Sequence, residues 1–244
     1  MVSVSIFYYF ADYPDTWERQ PEEGGRPKPS HMFEVDAGST EFQDAVKEFE
    51  LSMTRLKYTI VAVKRIQTPN EYTKHCALRQ SMQQKHGKKV QERRLFHGTR
   101  QESIDAIAVQ GFNRIFAADA NGKYNRNGKH TSFVMLWFIR CFFLLAACFG
   151  KGAYFAVNAT YSAQEKYAAP DSSGNQHMFV CNVLIGQFTK GNSSMKTAPQ
   201  LNPSSNLLYD SLVDRMQDPT IFVAMTDSQA YPEYLITFKI DKSK

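Results

Sequence analysis

The chain has 244 residues and a mass of 27.9 kDa, which is enough to bury a sizeable core in one domain, with or without a short appendage. Its 43% hydrophobic and 22% charged residues are the proportions of an ordinary globular protein. The formal net charge of +5 would favour an anionic ligand but is too small for a typical nucleic-acid-binding protein, so we expect no nucleic-acid partner.

The N-terminal region is predicted to contain two strands and one helix. Residues 2–10 are apolar, lack a preceding basic segment and run into aspartates, which indicates a strand rather than a signal peptide. Thr40 and Gln43 have the spacing of a capping box, and apolar residues then recur at helical intervals as far as Met53. The β-branched composition of residues 58–66 predicts a strand after that helix.

A second helix has clear start and stop signals. Thr68 precedes Pro69, a residue suited to the first helical position, and the helix should continue to about Lys85, with Gly87 as its left-handed stop. A dense basic cluster follows, and we interpret it as a solvated linker rather than a phosphate-binding patch because no aromatic residues interleave it. The cluster consists of Lys85, Lys88, Lys89, Arg93 and Arg94.

The second half of the chain is richer in strands. A short strand should end at His97-Gly98-Thr99, and a brief helix should cover residues 103–111. The glycine-rich turn Gly150-Lys151-Gly152 precedes a strand, and Asn158 is placed to cap a helix that ends before Pro170. Further strands are predicted over residues 178–188, 220–225 and 234–240. Strands and helices do not alternate as in a doubly wound sheet, so an α+β domain with a largely antiparallel sheet is favoured.

One segment does not fit this pattern. Residues 133–149 are nearly all apolar, with only Arg140 interrupting them. A membrane span needs about 20 apolar residues and tolerates a central charge poorly, so we do not expect a membrane protein. A buried helix, a segment that docks on a partner and retained non-coding sequence all stay open as explanations.

The four cysteines give no sign of a metal or disulfide site. Cys76, Cys141, Cys148 and Cys181 show neither CxxC spacing nor a ligand pattern with histidine. We therefore expect no metal, and an intracellular location in the cytoplasm, the nucleus or both, where thiols stay reduced.

Several short motifs follow one another in a fixed order. They are Leu95-Phe96-His97-Gly98-Thr99, then Gly150-Lys151-Gly152-Ala153-Tyr154-Phe155-Ala156, then Tyr161-Ser162-Ala163, and finally the closing stretch from Gln229 to Phe238. Together they resemble the catalytic domain of poly(ADP-ribose) polymerase-like, or diphtheria-toxin-like, ADP-ribosyltransferases, and most closely the macrodomain-associated branch that transfers single ADP-ribose units. The likeness covers roughly residues 69–240. It implies an α+β fold in which split, largely antiparallel β-sheets flanked by helices clamp NAD⁺.

The resemblance also implies roles for five residues. His97 would hydrogen-bond the adenosine ribose, and the backbone of Gly98 would grip the nicotinamide carboxamide, which the missing side chain permits. The Ser162 hydroxyl would bind the same carboxamide, since it can both donate and accept. Tyr154 and Tyr167 would stack on the two faces of the cationic nicotinamide ring. Taken singly, each of these residues has an ordinary packing explanation.

The third catalytic position separates two kinds of product. In polymerase members of the family, a glutamate on a later strand contacts the nicotinamide ribose and helps to activate the incoming hydroxyl. Spacing back from Tyr234 places that position at Ile221, with Glu233 as the alternative. Isoleucine cannot accept a proton, so chain elongation loses its base, whereas transfer of a first ADP-ribose to a carboxylate needs no deprotonation.

The chain is accordingly divided into residues 1–57, an appended strand, loop and helix, and residues 58–244, an ADP-ribosyltransferase catalytic domain. Relatives have a short donor loop where this chain has residues 115–149, so an insertion is expected at about residues 123–147. It could occlude the pocket, form a flap or be retained non-coding sequence.

The expected function is that of a glycosyltransferase of the pentosyl class, which moves single ADP-ribose units from NAD⁺ to protein side chains and releases nicotinamide. Acidic side chains are the expected acceptors. Two alternatives stay open. One is a catalytically weak or inactive module that binds NAD⁺ or ADP-ribose, and the other is a protein tethered to a membrane or a partner through residues 133–149.

Overall fold

The computed structural model of the protein describes residues 13–112 and 148–241. The predicted strand at residues 2–10 and the insertion at about residues 123–147 therefore lie outside the described residues. So does the apolar run, apart from Cys148 and Phe149. Within the two described ranges, no helix has both the length and the apolar character needed to cross a membrane.

The described residues form a few helices, several short strands and four longer strands that lie side by side in the sheet. In chain order the elements are β1 (Glu22–Glu23), β2 (Arg26–Pro27), β3 (His31–Glu34), α1 (Thr40–Ser52), β4 (Tyr58–Gln67), α2 (Pro69–His86), β5 (Glu92–Thr99), a 3₁₀ turn (Gln101–Ser103), α3 (Ile104–Gln110), β6 (Ala153–Ala156), α4 (Ala159–Ser162), β7 (Gln176–Leu184), β8 (Phe188–Lys190), β9 (Ser211–Val213), β10 (Ile221–Ala224) and β11 (Ala230–Ile240).

The main sheet has nine strands in the order β3-β4-β11-β7-β5-β6-β10-β9-β8, and β1 and β2 form a separate hairpin. Neighbouring strands are antiparallel except β8 and β9, which are parallel. The sheet is almost divided between β5 and β6, whose register contains the one pair Phe96–Ala156, whereas β5 pairs with β7 along its whole length. The predicted α+β fold with split, largely antiparallel sheets is confirmed.

Apolar side chains bury both faces of this sheet. On one face Phe49 of α1 and Met53, which directly follows this helix, pack with Phe96 and Phe238. The other face holds a larger cluster that includes the rings of Phe155, Phe179 and Phe222. A third, smaller cluster surrounds Ile221 on the β6–β10 part of the sheet. Strands β5 and β6 together contribute residues to all three clusters.

The helix boundaries follow the local signals closely. The predicted cap at Thr40 is wrong by one residue, because Ser39 accepts a hydrogen bond from the Phe42 amide at 3.1 Å and Thr40 is already helical. Helix α2 begins at Pro69 and stops at Gly87, whose φ of 63° is left-handed, as predicted. Thr68 does not cap it with its side chain, since its hydroxyl donates to the Ala108 carbonyl oxygen at 2.6 Å.

Three elements of the second half differ from the prediction. The predicted strand over residues 178–188 is broken, because Gly186 turns the chain with a φ of 58° between β7 and β8. The helix after Asn158 has only four residues and no side-chain cap. The last strand begins at Ala230 rather than residue 234, because Tyr231 and Pro232 already pair with β7.

The basic cluster is largely engaged in contacts within the domain. Lys85 Nζ lies 2.7 Å from the buried Asp210 carboxylate. Arg94 forms ion pairs with Asp44 and Glu233, and the Arg93 guanidinium lies 5.5 Å from the centre of the Phe222 ring. These residues hold α1, α2 and the sheet together, so the interpretation as a solvated linker is wrong for them.

Candidate active site

His97 lies on β5 at the division of the sheet, with 7% of its surface exposed. Its Nδ1 is 2.8 Å from the carbonyl oxygen of Tyr154. Because a carbonyl oxygen can only accept, Nδ1 must carry the proton, and Nε2 is then the acceptor of the neutral ring. The rings of Phe112 and Phe155, with centroids 4.9 and 5.6 Å away, hold the imidazole in place.

Burial also fixes the charge of this imidazole. Removal from water lowers the pKa of His97 to about 4, although the hydrogen bond to Tyr154 opposes the shift. The ring is therefore neutral at pH 7. A neutral Nε2 can accept a hydrogen bond from a sugar hydroxyl, which a protonated ring could not do.

A second buried histidine behaves in the same way, which predicts a pH-dependent stability. Burial lowers the pKa of His75 to about 4, and its Nδ1 is 2.9 Å from the Ser228 carbonyl oxygen. In the unfolded chain both rings titrate near 6.5, so between about pH 6.5 and 4 the unfolded state binds more protons.

We therefore expect the free energy of unfolding to fall as the pH drops through this range. Urea denaturation at pH 7 and pH 5 measures it, and substitution of either histidine by alanine should reduce the difference between the two pH values. An unchanged difference in both variants would contradict the assignment.

Tyr154 closes the glycine-rich turn in front of β6. Its hydroxyl donates to the Gly150 carbonyl oxygen at 2.8 Å and accepts from the Phe149 amide at 2.9 Å. Burial raises the pKa of Tyr154 to about 12, so the phenol stays neutral. Its ring packs against the small apolar cluster that contains Ile221, and the structure thus places His97, Tyr154 and Ile221 around one point of the sheet.

Gly98 brings the second group of predicted residues together. A Cβ atom built on Gly98 would lie 2.2 Å from the Ser162 carbonyl oxygen and 3.2 Å from Tyr167 Cβ. The Ser162 hydroxyl donates to the Phe96 carbonyl oxygen at 3.1 Å, and its lone pairs stay available to accept. Strand β5 and the α4 region therefore meet at a contact that only glycine allows.

Tyr161 is an aromatic residue of this region to which the sequence analysis gave no role. Its ring lies 5.1 Å from the Tyr167 ring at an angle of 30°, and the Tyr167 hydroxyl donates to the Tyr161 hydroxyl at 2.7 Å. The ammonium of Lys166 is 4.8 Å from the centre of the Tyr167 ring. Burial raises the pKa of Tyr167, so its phenol is a neutral donor and acceptor at pH 7. The sequence signal that could have identified Tyr161 is its place directly before Ser162.

The two candidates for the third catalytic position lie far apart in the sheet. Ile221 is buried and pairs with Ala156 of β6. Asp214 fixes the entry to β10, because its carboxylate accepts from the Ile221 amide at 3.1 Å and the Thr220 amide at 3.0 Å. Glu233 lies on β11, and β7, β5 and β6 stand between β11 and β10. The structure therefore places Ile221, and not Glu233, in the apolar cluster against which Tyr154 packs.

The ion pair between Glu233 and Arg94 leads to a prediction for the stability and activity of Glu233→Gln. Its carboxylate lies 2.8 Å from Arg94 Nε, and burial raises its pKa despite that pairing. Glu233→Gln should lower the free energy of unfolding by about 1–3 kcal/mol, because Arg94 loses a charged partner. Nicotinamide release from NAD⁺ should stay within about twofold of wild type, since Glu233 lies on β11, which β7 and β5 separate from the Tyr154 strand β6. A loss of a hundredfold would make Glu233 the catalytic carboxylate instead.

Comparison with known proteins decides the family. The model of the poly(ADP-ribose) polymerase catalytic domain matches residues 39–240. The chain belongs to this family. It is 36% identical over 209 residues to the protein mono-ADP-ribosyltransferase PARP14 of Homo sapiens, which covers 85% of this chain and 10% of that protein. It is 32% identical over 221 residues to the protein mono-ADP-ribosyltransferase PARP10 of Mus musculus, covering 89% of this chain and 20% of that protein.

The resemblance inferred from the motifs, including the branch named for single transfers, is thereby confirmed. The chain spans only a tenth to a fifth of these relatives. The family model also includes all of α1, which packs in the core beside Phe96 and Phe238. The boundary between residues 57 and 58 stays a prediction.

The described residues fit NAD⁺, the substrate of this family. At Gly98 the absence of a side chain lets the β5 backbone meet the Ser162 backbone, and the Ser162 hydroxyl is a group of the kind that suits a planar carboxamide. The neutral His97 imidazole suits a ribose hydroxyl, and the tyrosines suit a flat cationic ring. Across residues 13–112 and 148–241, no group of three or more His, Cys, Asp or Glu side chains could hold a metal ion.

Proposed function

We propose that this chain is a mono-ADP-ribosyltransferase domain, which moves one ADP-ribose unit from NAD⁺ to a protein side chain and releases nicotinamide. The observation that supports it best is the buried Ile221, which pairs with Ala156 and belongs to the apolar cluster against which Tyr154 packs. We take Ile221 as the counterpart of the glutamate that a polymerase needs. The names of the relatives as mono-ADP-ribosyltransferases support the same conclusion.

The proposed reaction exchanges one bond at the nicotinamide ribose. The bond from its anomeric carbon to the ring nitrogen breaks, and nicotinamide leaves with the electron pair. A carboxylate oxygen of the acceptor supplies the pair for the new bond, through a transition state with oxocarbenium character. Gly98 and Ser162 hold the carboxamide. Tyr154 and Tyr167 hold the nicotinamide ring, and His97 holds the adenosine ribose.

An acidic acceptor fits the apolar third position. A carboxylate is already a nucleophile at pH 7, so no base is needed to activate it, whereas a sugar hydroxyl would need one. The partners we propose are therefore proteins with exposed glutamate or aspartate side chains. The free thiols of Cys76, Cys148 and Cys181 support an intracellular location, in the cytoplasm, the nucleus or both.

Two products measured in one reaction test this function. The purified chain is incubated with NAD⁺ labelled in the adenine and with an acidic protein, and free nicotinamide and protein-bound label are both counted. We expect the two to rise together. Nicotinamide without bound label would make the chain a hydrolase of NAD⁺, and neither product, with NAD⁺ still bound, would make it a binding module.

A treatment with neutral hydroxylamine identifies the acceptor type. Esters of ADP-ribose with carboxylates are cleaved by hydroxylamine, so the bound label should be released. Label that resists it would contradict acidic acceptors while leaving the transferase function intact.

A further inference from the structure

A buried glutamine ties the turn after Ser162, for which nicotinamide binding is proposed above, to the sheet. Gln176 is the first residue of β7 and is 2% exposed. Its Nε2 donates to the Ala163 carbonyl oxygen at 2.8 Å and to the Ala168 carbonyl oxygen at 2.5 Å. A carboxamide nitrogen has two hydrogens, so both are used, one at each end of the same turn.

This turn, residues 163–168, contains Tyr167 and directly follows Ser162. Helix α4 has only four residues, so it is too short to hold the turn by helical hydrogen bonding. Within the turn, the Tyr167 and Ala168 amides both donate to the Gln164 carbonyl oxygen, at 2.8 and 3.0 Å. These bonds fix the shape of the turn. The two bonds from Gln176 fix where the turn lies relative to the sheet.

The place of the turn decides the place of the Tyr167 ring. Tyr167 Cβ would lie 3.2 Å from a Cβ on Gly98, so the ring begins beside the strand backbone that is proposed to bind the carboxamide. Unpaired carbonyl oxygens in a buried site are costly, and the turn would therefore move to pair them if Gln176 lost its N–H groups. A shift of about 1 Å is enough to disturb a stacked ring.

A neighbouring buried group provides a matched comparison. His177 follows Gln176 on β7, and its Nε2 lies 3.2 Å from the Asp171 carboxylate and its Nδ1 3.2 Å from the Thr237 hydroxyl. Asp171 in turn accepts from the amides of Ser173 and Asn175 at 2.8 and 2.9 Å. His177 thus holds the next turn, residues 171–175, and leaves Tyr167 untouched.

We propose that Gln176 is a positioning residue for nicotinamide recognition, acting through Tyr167 by holding both ends of its turn. This inference rests on the proposed function, because it gives that function's nicotinamide subsite a further determinant.

The first test separates nicotinamide from the rest of NAD⁺. Gln176→Met keeps the volume and removes both N–H donors, and His177→Met is the matched control. We expect the inhibition constant of nicotinamide to rise about tenfold in Gln176→Met, with the dissociation constant of ADP-ribose within about twofold of wild type. His177→Met should change neither constant, even where it lowers the melting temperature as much.

A double-mutant cycle tests whether Gln176 acts through Tyr167. In a Tyr167→Ala background, Gln176→Met should weaken nicotinamide binding by less than about twofold, since the ring that it positions is gone. Full additivity would overturn the proposal, and so would equal effects on nicotinamide and ADP-ribose. If Gln176→Met does not fold, Gln176→Asn, which keeps both donors on a shorter side chain, should give the same selective loss to a smaller degree, and its absence would overturn the proposal too.

Different results would contradict the proposed function and the role of Gln176. A wild-type chain that neither binds nor releases nicotinamide would remove the proposed function and this inference with it. A wild-type chain that binds nicotinamide, together with a folded Gln176→Met variant that binds it equally well, would remove this inference alone.

Discussion

Gly98→Ala is expected to lower nicotinamide release about a hundredfold, because a displacement of about 1 Å at a substrate-positioning contact has effects of that size. The added Cβ would lie 2.2 Å from the Ser162 carbonyl oxygen, which is shorter than any van der Waals contact. That oxygen belongs to backbone, so α4 and the turn that contains Tyr167 must move away from β5. The strain should also lower the free energy of unfolding by about 1–3 kcal/mol.

Gly38→Ala is the control for this substitution. A Cβ on Gly38 would meet only the Asp36 carboxylate, at 3.6 Å, which is an ordinary contact. We expect activity and stability close to wild type. Both variants are compared by nicotinamide release and by urea denaturation. A Gly98→Ala protein with wild-type activity would show that β5 and α4 do not meet as described.

His97→Ala is expected to reduce nicotinamide release by about a hundredfold or more, since substrate held by one group fewer also loses its orientation. The buried, neutral imidazole is fixed by Tyr154 and by two phenylalanine rings, so it is organised before substrate arrives. Its removal also leaves a cavity and an unpaired Tyr154 carbonyl oxygen, and a loss of stability of about 2–4 kcal/mol should accompany it.

His75→Ala separates the loss of chemistry from the loss of stability. His75 is also buried, has a pKa lowered to about 4 and bonds to a backbone carbonyl oxygen, but it lies on α2. A comparable loss of stability with nicotinamide release within about threefold of wild type is expected. Equal losses of activity in the two variants would mean that His97 acts only on folding.

Those parts of the fold that depend on residues close together in the sequence could be predicted from it. The start of α2 at Pro69 and its stop at Gly87 need only a fixed φ and a missing side chain, so both were correct. The strands β4 and β10 follow from β-branched and aromatic composition. The motifs around His97 and Tyr154 marked the strands that lie on either side of the division in the sheet.

Contacts between distant residues explain the errors. Strand β7 ends at Leu184, and the chain turns at Gly186, because the buried Asp210 carboxylate accepts from the Gln187 amide at 2.7 Å and occupies the space that a Cβ on Gly186 would need. Strand β11 starts early because the Tyr231 hydroxyl donates to the Ile66 carbonyl oxygen at 2.9 Å. The sequence around each residue contains no sign of its partner. The two bonds from Gln176 were missed for the same reason.

The third catalytic position was predicted mainly from spacing in the sequence. The order of strands in the sheet shows where its two candidate residues lie. Ile221 and Glu233 are close in the sequence but lie on strands that β7, β5 and β6 separate. The apolar neighbours of Ile221, among them Leu212 and Val223, would also disfavour a charged carboxylate there. The proposed limit to single transfers therefore depends on a buried apolar environment as well as on one residue.

The length of the product tests this account most directly. Protein modified with adenine-labelled NAD⁺ is digested with a phosphodiesterase that cleaves pyrophosphate bonds, and the released nucleotides are separated. A single ADP-ribose yields labelled AMP, whereas each internal unit of a chain yields phosphoribosyl-AMP. We predict AMP as the labelled product at every enzyme and NAD⁺ concentration. Phosphoribosyl-AMP that increases with time would contradict the account.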